Sequence, residues 1–390
     1  MTEPVAGEPT GRYLVLLEDD AVDAGARELN RVAGIRALST RDVGPDHTGP
    51  LIMPELGVAV VSADGAQLHA LAGAAAGAGP ISIVEPERVV YALEPAAPLV
   101  EEPPRTADET TFTWGLQAVG ASTSAATGEG IRIAVLDTGL DLQHPDLAGR
   151  TLVSRSFIQG EEVQDGHGHG THCIGTSCGP RQVTDGPGYG VAYRAEIYAG
   201  KVLSNRGSGA DGGILAGIDW AITNGCAVVS MSLGAPTRPG QPFSQIYERV
   251  ATRALASGTL IVAAAGNDSS RSDGLIAPLS HPANCPSILA VGAIDVHVAM
   301  ADFSCGTVDH GCGVDLVGPG VDVHSAWPMP QRTRRISGTS MATPHVAGVA
   351  GLVAQATGAR AYELWARLVQ TAKRLPLPST DVGSGLVQAP

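Results

Sequence analysis

An aspartate, a histidine and a serine, each beside a turn that ends or opens a regular element, have the types and order needed for nucleophilic acyl transfer. Asp137 follows the apolar run 131–136 and precedes Thr138-Gly139, which puts a carboxylate at the carboxyl end of a predicted strand. An isolated Asp-Thr-Gly is more often a turn former or a cap. The segment DGHGHGTHCIGT holds three histidines, and His169, within His-Gly-Thr-His at the start of a predicted helix, can take up a proton near neutral pH as a general base must. His167 and His172 are its competitors. His169 and His172 are three apart on one helical face, yet no His-Glu-x-x-His pattern or adjacent carboxylate completes a zinc set, so no metal is expected. Ser340 stands between Gly338-Thr339 and Met341-Ala342, ahead of an Ala/Val/Gly-rich helix. Small neighbours admit a substrate, and a helix N-terminus favours developing negative charge, although a serine there also serves as a plain N-cap. Joint occurrence of the three outweighs the bland reading of each.

The elements that must hold these residues follow from hydrophobic period. From residue 131 onward, apolar runs at 131–136, 197–202, 227–231, 259–264 and 288–292 alternate with helical patterns at 209–224, 244–257, 340–356 and 362–371. That alternation predicts an α/β fold with a central parallel sheet covered on both faces in three layers, and functional groups at the carboxyl ends of strands. Ahead of it, a strand at 13–17, a helix at 21–33, an extended 35–39, a strand at 57–61, a helix at 65–76 and a strand at 81–84 give a small α+β, ferredoxin-like pattern. Residues 94–113, rich in Glu, Pro, Ala and Thr with no amphipathic period, read as an exposed linker. The expected organisation is therefore 1–93, a linker 94–113, and 114–390.

Composition narrows the function class. With 44% hydrophobic and 16% charged residues the chain is built to fold rather than to stay disordered. A formal charge of −14 and no basic stripe argue against nucleic acid. No apolar run approaches the roughly 20 residues that span a bilayer. The N-terminus also lacks the basic start and apolar core of a secretory signal, so the compartment stays open: cytoplasmic or non-classically exported as given, extracellular if trimmed. All six cysteines fall after residue 170 without metal-ligand spacing; Cys305 and Cys312, bracketing a short Gly-containing loop, are candidates for a disulfide in an oxidising compartment.

The blocks AVLDTGLDLQHPDL, GHGTHCIGT and SGTSMATPHVAG resemble the three signature blocks of the subtilisin-like serine peptidases, in family order, and the likeness runs from about Trp114 to the end. Carried over residue by residue, the resemblance implies that Ser340 attacks the scissile carbonyl, His169 takes and returns the proton, and Asp137 orients the imidazolium. It implies that Asn267 is the oxyanion-hole amide, and that substrate adds as a β-strand to Ser232-Leu233-Gly234 and to Gly207-Ser208-Gly209. The pocket for the residue before the scissile bond is expected between walls at 263–266, including Ala264 and Gly266, and a floor near Ser280, with no charge and hence an apolar preference. Asp211, Gly212 and Gly213 stand where many family members carry bulky groups, which implies either a roomy pocket for the fourth residue upstream, with Asp211 tolerating a base, or solvated surface. Cys173 directly follows the histidine block as in the proteinase K branch, where a free thiol lies under the catalytic histidine and confers sensitivity to mercurials. No cofactor is required; structural calcium is common in the family, but the loop GPRQVTDGPGYG lacks the Asn-rich stretch of its high-affinity site, and Asp141, Asp146 and Asp185 are too generic to assign.

The segment ISIVEPERVVYAL resembles the end of a subtilisin-type propeptide, which implies autocleavage after Leu93, with Leu93 in the first pocket and Val90 in the fourth. The resemblance thus implies a monomeric endopeptidase made as a zymogen, acting on peptides or proteins, with its own propeptide as intramolecular inhibitor. The alternatives are a latent or inactive binding protein that retains residues 1–93, a separate ferredoxin-like binding domain in that place, and a dedicated processing peptidase.

Overall fold

In the computed structural model, which describes residues 5–44, 47–93 and 107–390, the chain begins with β1 (Pro9–Leu17), α1 (Val22–Ala33), β2 (Leu38–Ser39), β3 (Leu51–Met53), β4 (Val58–Ser62), α2 (Gly65–Ala75) and β5 (Ile81–Ala92). The period of two along β1 and β4 sorts their side chains onto two faces. Val15, Leu17, Ala59 and Val61 join Leu29 and Leu71 of the two helices in a small core of their own. Leu14, Leu16, Val58 and Val60 point the other way, into a core shared with the rest of the protein. Helix α2 starts where it does because Asp64 and Gln67 form a reciprocal capping box.

The remainder comprises α3 (Trp114–Ala118), β6 (Arg132–Asp137), β7 (Leu152–Ser156), α4 (His169–Cys178), β8 (Glu196–Lys201), β9 (Ser208–Ala210), α5 (Asp211–Thr223), β10 (Val228–Met231), β11 (Leu233–Gly234), α6 (Gln245–Ala256), β12 (Leu260–Ala264), β13 (Leu289–Ile294), β14 (Leu316–Pro319), β15 (Val323–Ala326), β16 (Thr333–Ile336), α7 (Thr339–Thr357), α8 (Ala361–Thr371) and α9 (Ser379–Val382). Seven of these strands form an all-parallel sheet in the order β14-β13-β12-β10-β6-β8-β7. Strands β10, β12 and β13 are buried along their whole length, as strands covered on both faces must be. The α/β class holds, with five of the seven parallel strands and the four long helices within a few residues of their predicted positions. Strands β7 and β14 and the β15/β16 hairpin have no counterpart in the hydrophobic pattern. Helix α5 begins at Asp211 rather than at 209, because residues 208–210 are drawn into a strand.

The second sheet joins the two parts. Its order is β11-β5-β1-β4-β3-β2, with β9 on the other side of the distal half of β5. Strand β5 outruns its predicted end by eight residues because its second half is sheathed by β9 and β11, which complete its backbone hydrogen bonds. Of the linker, residues 94–106 lie outside the described residues; 107–113 run onto the second part, where Phe112 bridges Gly188 and Glu109 binds Arg335 (2.7 Å). Among the described residues no helix is long and apolar enough to cross a membrane. All six cysteines are free thiols, so the Cys305–Cys312 disulfide is not formed.

Candidate active site

Strand β6 ends at Asp137, and burial there is complete. Asp137 Oδ1 accepts from the Thr138 backbone N–H (2.7 Å) and from His169 Nδ1 (2.8 Å). His169 is the first residue of α4, reached through Gly168, whose φ of 105° and contact with the Trp327 ring leave no room for a side chain. The cap of that helix is Asp165: Oδ1 accepts from the N–H groups of His167 (2.9 Å) and Gly168 (2.8 Å), and Oδ2 from Thr171 N (2.9 Å) and Oγ1 (2.7 Å). Thr138 links the two loops, donating to Asp165 Oδ1 (3.0 Å) and accepting from Gly170 N (2.8 Å). In the sequence Thr138 stands out only as part of the turn after Asp137, whereas Asp165, an Asp ahead of a Gly-rich helix start, carries a capping signal.

Burial by itself would depress the His169 pKa, but the adjacent buried Asp137 carboxylate outweighs it and holds the value well above the usual imidazole range. The competing His172 is also buried, donates Nε2–H to the Val323 carbonyl (3.0 Å), and is pushed down to about 3 by desolvation. It is a neutral core histidine. Cys173 lies beneath, its Sγ 3.5 Å from the Ser340 carbonyl and 3.9 Å from His169 Nδ1, with burial raising its thiol to about 11. Asp137, His169 and Cys173 are the one set of three candidate metal ligands among the described residues, and the Asp137–His169 hydrogen bond already engages their facing atoms.

Ser340 lies in the first turn of α7, fully buried, and its Oγ donates to the Leu93 carbonyl (2.7 Å) and approaches the Ser232 carbonyl (3.2 Å). The same Leu93 oxygen accepts from Asn267 Nδ2 (2.7 Å). His169 Nε2 faces no hydrogen-bond partner. Asn267 is itself clamped, its Oδ1 accepting from Thr339 N (2.9 Å) and Oγ1 (2.8 Å). Thr339 was visible in the sequence only as a neighbour of the serine.

The five residues ending at Leu93 run antiparallel between two edges. Val89, Val90 and Tyr91 pair with Ala210, Gly209 and Ser208, and Tyr91 and Ala92 pair with Gly234 and Leu233. Ala92 N donates to Gly207 O (2.9 Å) and Leu93 N to Ser232 O (3.3 Å). Gly234 allows this approach, since a Cβ there would lie 2.6 Å from His281 O and 3.3 Å from Leu93 Cδ1. Ala264 is buried, and a Cβ on Gly266 would collide with Ser280 Oγ, so Gly266 and Ser280 pack directly against each other. Ser280 Oγ also lies 3.3 Å from the Asp268 carboxylate, whose pKa partial burial raises. Asp211 is neither solvated nor open to the fourth residue. It is fully buried, and accepts from His281 Nε2 (3.0 Å) and from the backbone N–H of Arg88 (2.9 Å).

The Subtilase family profile matches residues 128–385. The chain belongs to the subtilase family. It is 40% identical over 312 residues to an alkaline protease of Shouchella clausii, covering 76% of this chain and 74% of that protein. It is 41% identical over 287 residues to Subtilisin Savinase of Lederbergia lenta, 71% of this chain and 96% of the other, and 37% identical over 260 residues to a cuticle-degrading protease of Metarhizium anisopliae, 63% and 61%. This subtilase is a subtilisin-like serine endopeptidase. Two of its carboxylates weighed for calcium do not fit that ion, being occupied by protein donors. Asp141 accepts from Gln143 N, Gln164 Nε2 and Met329 N, and Asp146 from Tyr189 Oη and Arg332, whose guanidinium supplies the positive charge.

Proposed function

We propose that the chain is a zymogen of that endopeptidase, in which Asp137, His169 and Ser340 form the catalytic triad, Asn267 the oxyanion hole, and residues 1–93 a ferredoxin-like inhibitory propeptide cleaved after Leu93. The observation that carries this reading is the Leu93 carbonyl oxygen, 2.7 Å from both Ser340 Oγ and Asn267 Nδ2 at the end of a strand paired on both sides. Ser340 Oγ attacks the Leu93 carbonyl carbon as His169 Nε2 takes its proton, which requires the hydroxyl to turn from the carbonyl oxygen toward the imidazole. Asp137 holds Nδ1–H and stabilises the imidazolium. Negative charge collects on the oxygen that Asn267 already meets, and His169 returns the proton to the leaving amide nitrogen before water repeats the cycle. The apolar Leu93, 8% exposed, and the fully buried Val90 support a preference for apolar residues at the first and fourth positions.

The order β5-β1-β4-β3 within the second sheet, with α1 and α2 on one face, supports the propeptide fold, with β3 in the place that the sequence pattern assigned to 35–39. The position of the Cys173 thiol supports the likeness to the proteinase K branch. One observation favours the latent binder that retains residues 1–93: the contact with that unit extends well past the cleft. Glu85 caps α6 through Ser244 Oγ (2.6 Å) and Gln245 N (2.8 Å), and Glu87 caps α5 through Gly212 N (3.0 Å). The test is to purify the chain and its Ser340→Ala variant and follow both size and turnover of a peptide with Leu before the scissile bond. Scission after residue 93 and turnover in the wild type alone support the zymogen. A wild type that stays intact and turns over no peptide that the variant spares refutes it.

A further inference from the structure

Beyond the first and fourth pockets, the chain carries a polar contact that no apolar preference explains. Arg88, the sixth residue counted back from Leu93, meets a buried Asp–His pair. Its backbone N–H donates to Asp211 Oδ2 (2.9 Å), while Asp211 Oδ1 accepts from His281 Nε2 (3.0 Å). Arg88 Nη1 is 3.1 Å from His281 Nδ1 and 3.3 Å from Nε2. An atom that near to both ring nitrogens lies over the face of the ring, because in the plane it would collide with Cε1. One guanidinium nitrogen therefore sits over the imidazole face. Both His281 and Asp211 are buried, and the Tyr247 ring packs edge-on against His281 at 4.6 Å, so the face is held rigidly.

We infer that Asp211 and His281 form a subsite for the sixth residue before the scissile bond that selects arginine. It rests on the reading that Leu93 occupies the position of cleavage. Asp211 takes the main-chain N–H of any residue there except proline, and the His281 face adds affinity for a flat cation. With Nε2 engaged by Asp211, the ring's open face is left to the guanidinium. The groups around His281 are Asp211 from α5, Arg88 and Glu85 from β5, which pair at 3.1 Å, and Tyr247 from α6.

The test compares acetyl-Arg-Val-Val-Tyr-Ala-Leu-para-nitroanilide, whose peptide is the chain's own 88–93, with the same peptide carrying Ala in place of Arg, and with a short Val-Tyr-Ala-Leu version. With the wild-type chain near pH 8, the arginine peptide should exceed the alanine peptide about fivefold in kcat/KM, through KM. His281→Leu should abolish the ratio, and Asp211→Asn should weaken both long peptides against the short one. Equal kcat/KM for the two long peptides in the wild type near pH 8, with the short one turned over, overturns the subsite and leaves the endopeptidase reading standing. Failure to cleave any of the three overturns both.

Discussion

Replacing Asn267 by Leu, close to it in shape, removes the Nδ2 donor to the Leu93 oxygen together with the Oδ1 acceptor of two bonds from Thr339. That donor is 2.7 Å from the Leu93 oxygen in a side chain only 7% exposed, so water has poor access to replace it. Two bonds from Thr339 to Asn267 Oδ1 fix its direction before reaction, so no reorganisation is needed as charge develops. A donor so placed is worth about 100- to 1000-fold in rate, or about 3–4 kcal/mol, a size known from the corresponding change in subtilisin. The cleanest readout is the first-order rate of scission after residue 93 on refolding of the full chain, which needs no free enzyme and is insensitive to substrate affinity. Thr339→Val keeps the backbone bond to Oδ1 and loses the hydroxyl one, and should slow scission by about tenfold. If Asn267→Leu clips within about threefold of the wild-type rate, the Leu93 oxygen is not where charge develops and the argument fails.

The remaining predictions use the same full-length chain. The scission rate should rise with pH through a value above the usual imidazole pKa, because catalysis needs neutral His169 and Asp137 raises its pKa. Asp137→Asn removes the strongest influence that opposes burial and leaves only Cys173 to do so, so the rise should move to lower pH while the rate falls about 10⁴-fold. In the Ser340→Ala background, Glu87→Ala should lower stability to urea by about 2–4 kcal/mol, since the fully buried carboxylate accepts from Arg12 Nε (2.8 Å), Arg12 Nη2 (2.6 Å), Thr10 and the α5 N-terminus. Asp219, buried under Thr40 and Glu55, is raised to about 6 by desolvation, so the folded chain is favoured by its protonation and penalised as pH rises from about 4 through 6. Asp219→Asn should therefore raise the unfolding free energy measured in urea at pH 8 by up to about 3 kcal/mol, and leave it unchanged near pH 4; an equal gain at both would refute a charge effect.

What the sequence made legible was local. Asp137, His169 and Ser340 sit where a strand ends or a helix begins, and each turn is written in the residues beside it. The parallel strands were legible because burial on both faces leaves unbroken apolar runs; β7, half-exposed with the sequence Leu-Val-Ser-Arg-Ser, leaves none. The polar framework was not legible, since a hydrogen bond between Thr339 and Asn267, 72 residues apart, has no signature in composition or period. Asp211 shows the difference most sharply. Its neighbours Gly212 and Gly213 suggest an open pocket, and only the overlay of β5 and Val60 from the first unit, with a Cβ on Gly212 meeting Val60 at 3.0 Å, explains why the chain is bare there.

The geometry of β5 also separates what holds the tail from what holds the unit. Residues 89–93 bind through the two edges that would bind any substrate strand, so this segment alone has no advantage over a product peptide. The advantage lies outside the cleft: in Glu85 and Glu87 at two helix N-termini, in Arg253 of α6, which donates to Asp19 and to the Leu17 and Leu56 carbonyls, and in Leu14, Leu16, Val58 and Val60 sharing the core of the larger part. Those contacts depend on the small unit being folded, because they come from β1, β4, the turn before β4 and β5 together. On the zymogen reading, a single cut within residues 9–62 would scatter them while leaving 89–93 in place. Release would then be governed by the folding stability of the small unit and by its exposure to a second protease, and only weakly by the affinity of the tail for the cleft.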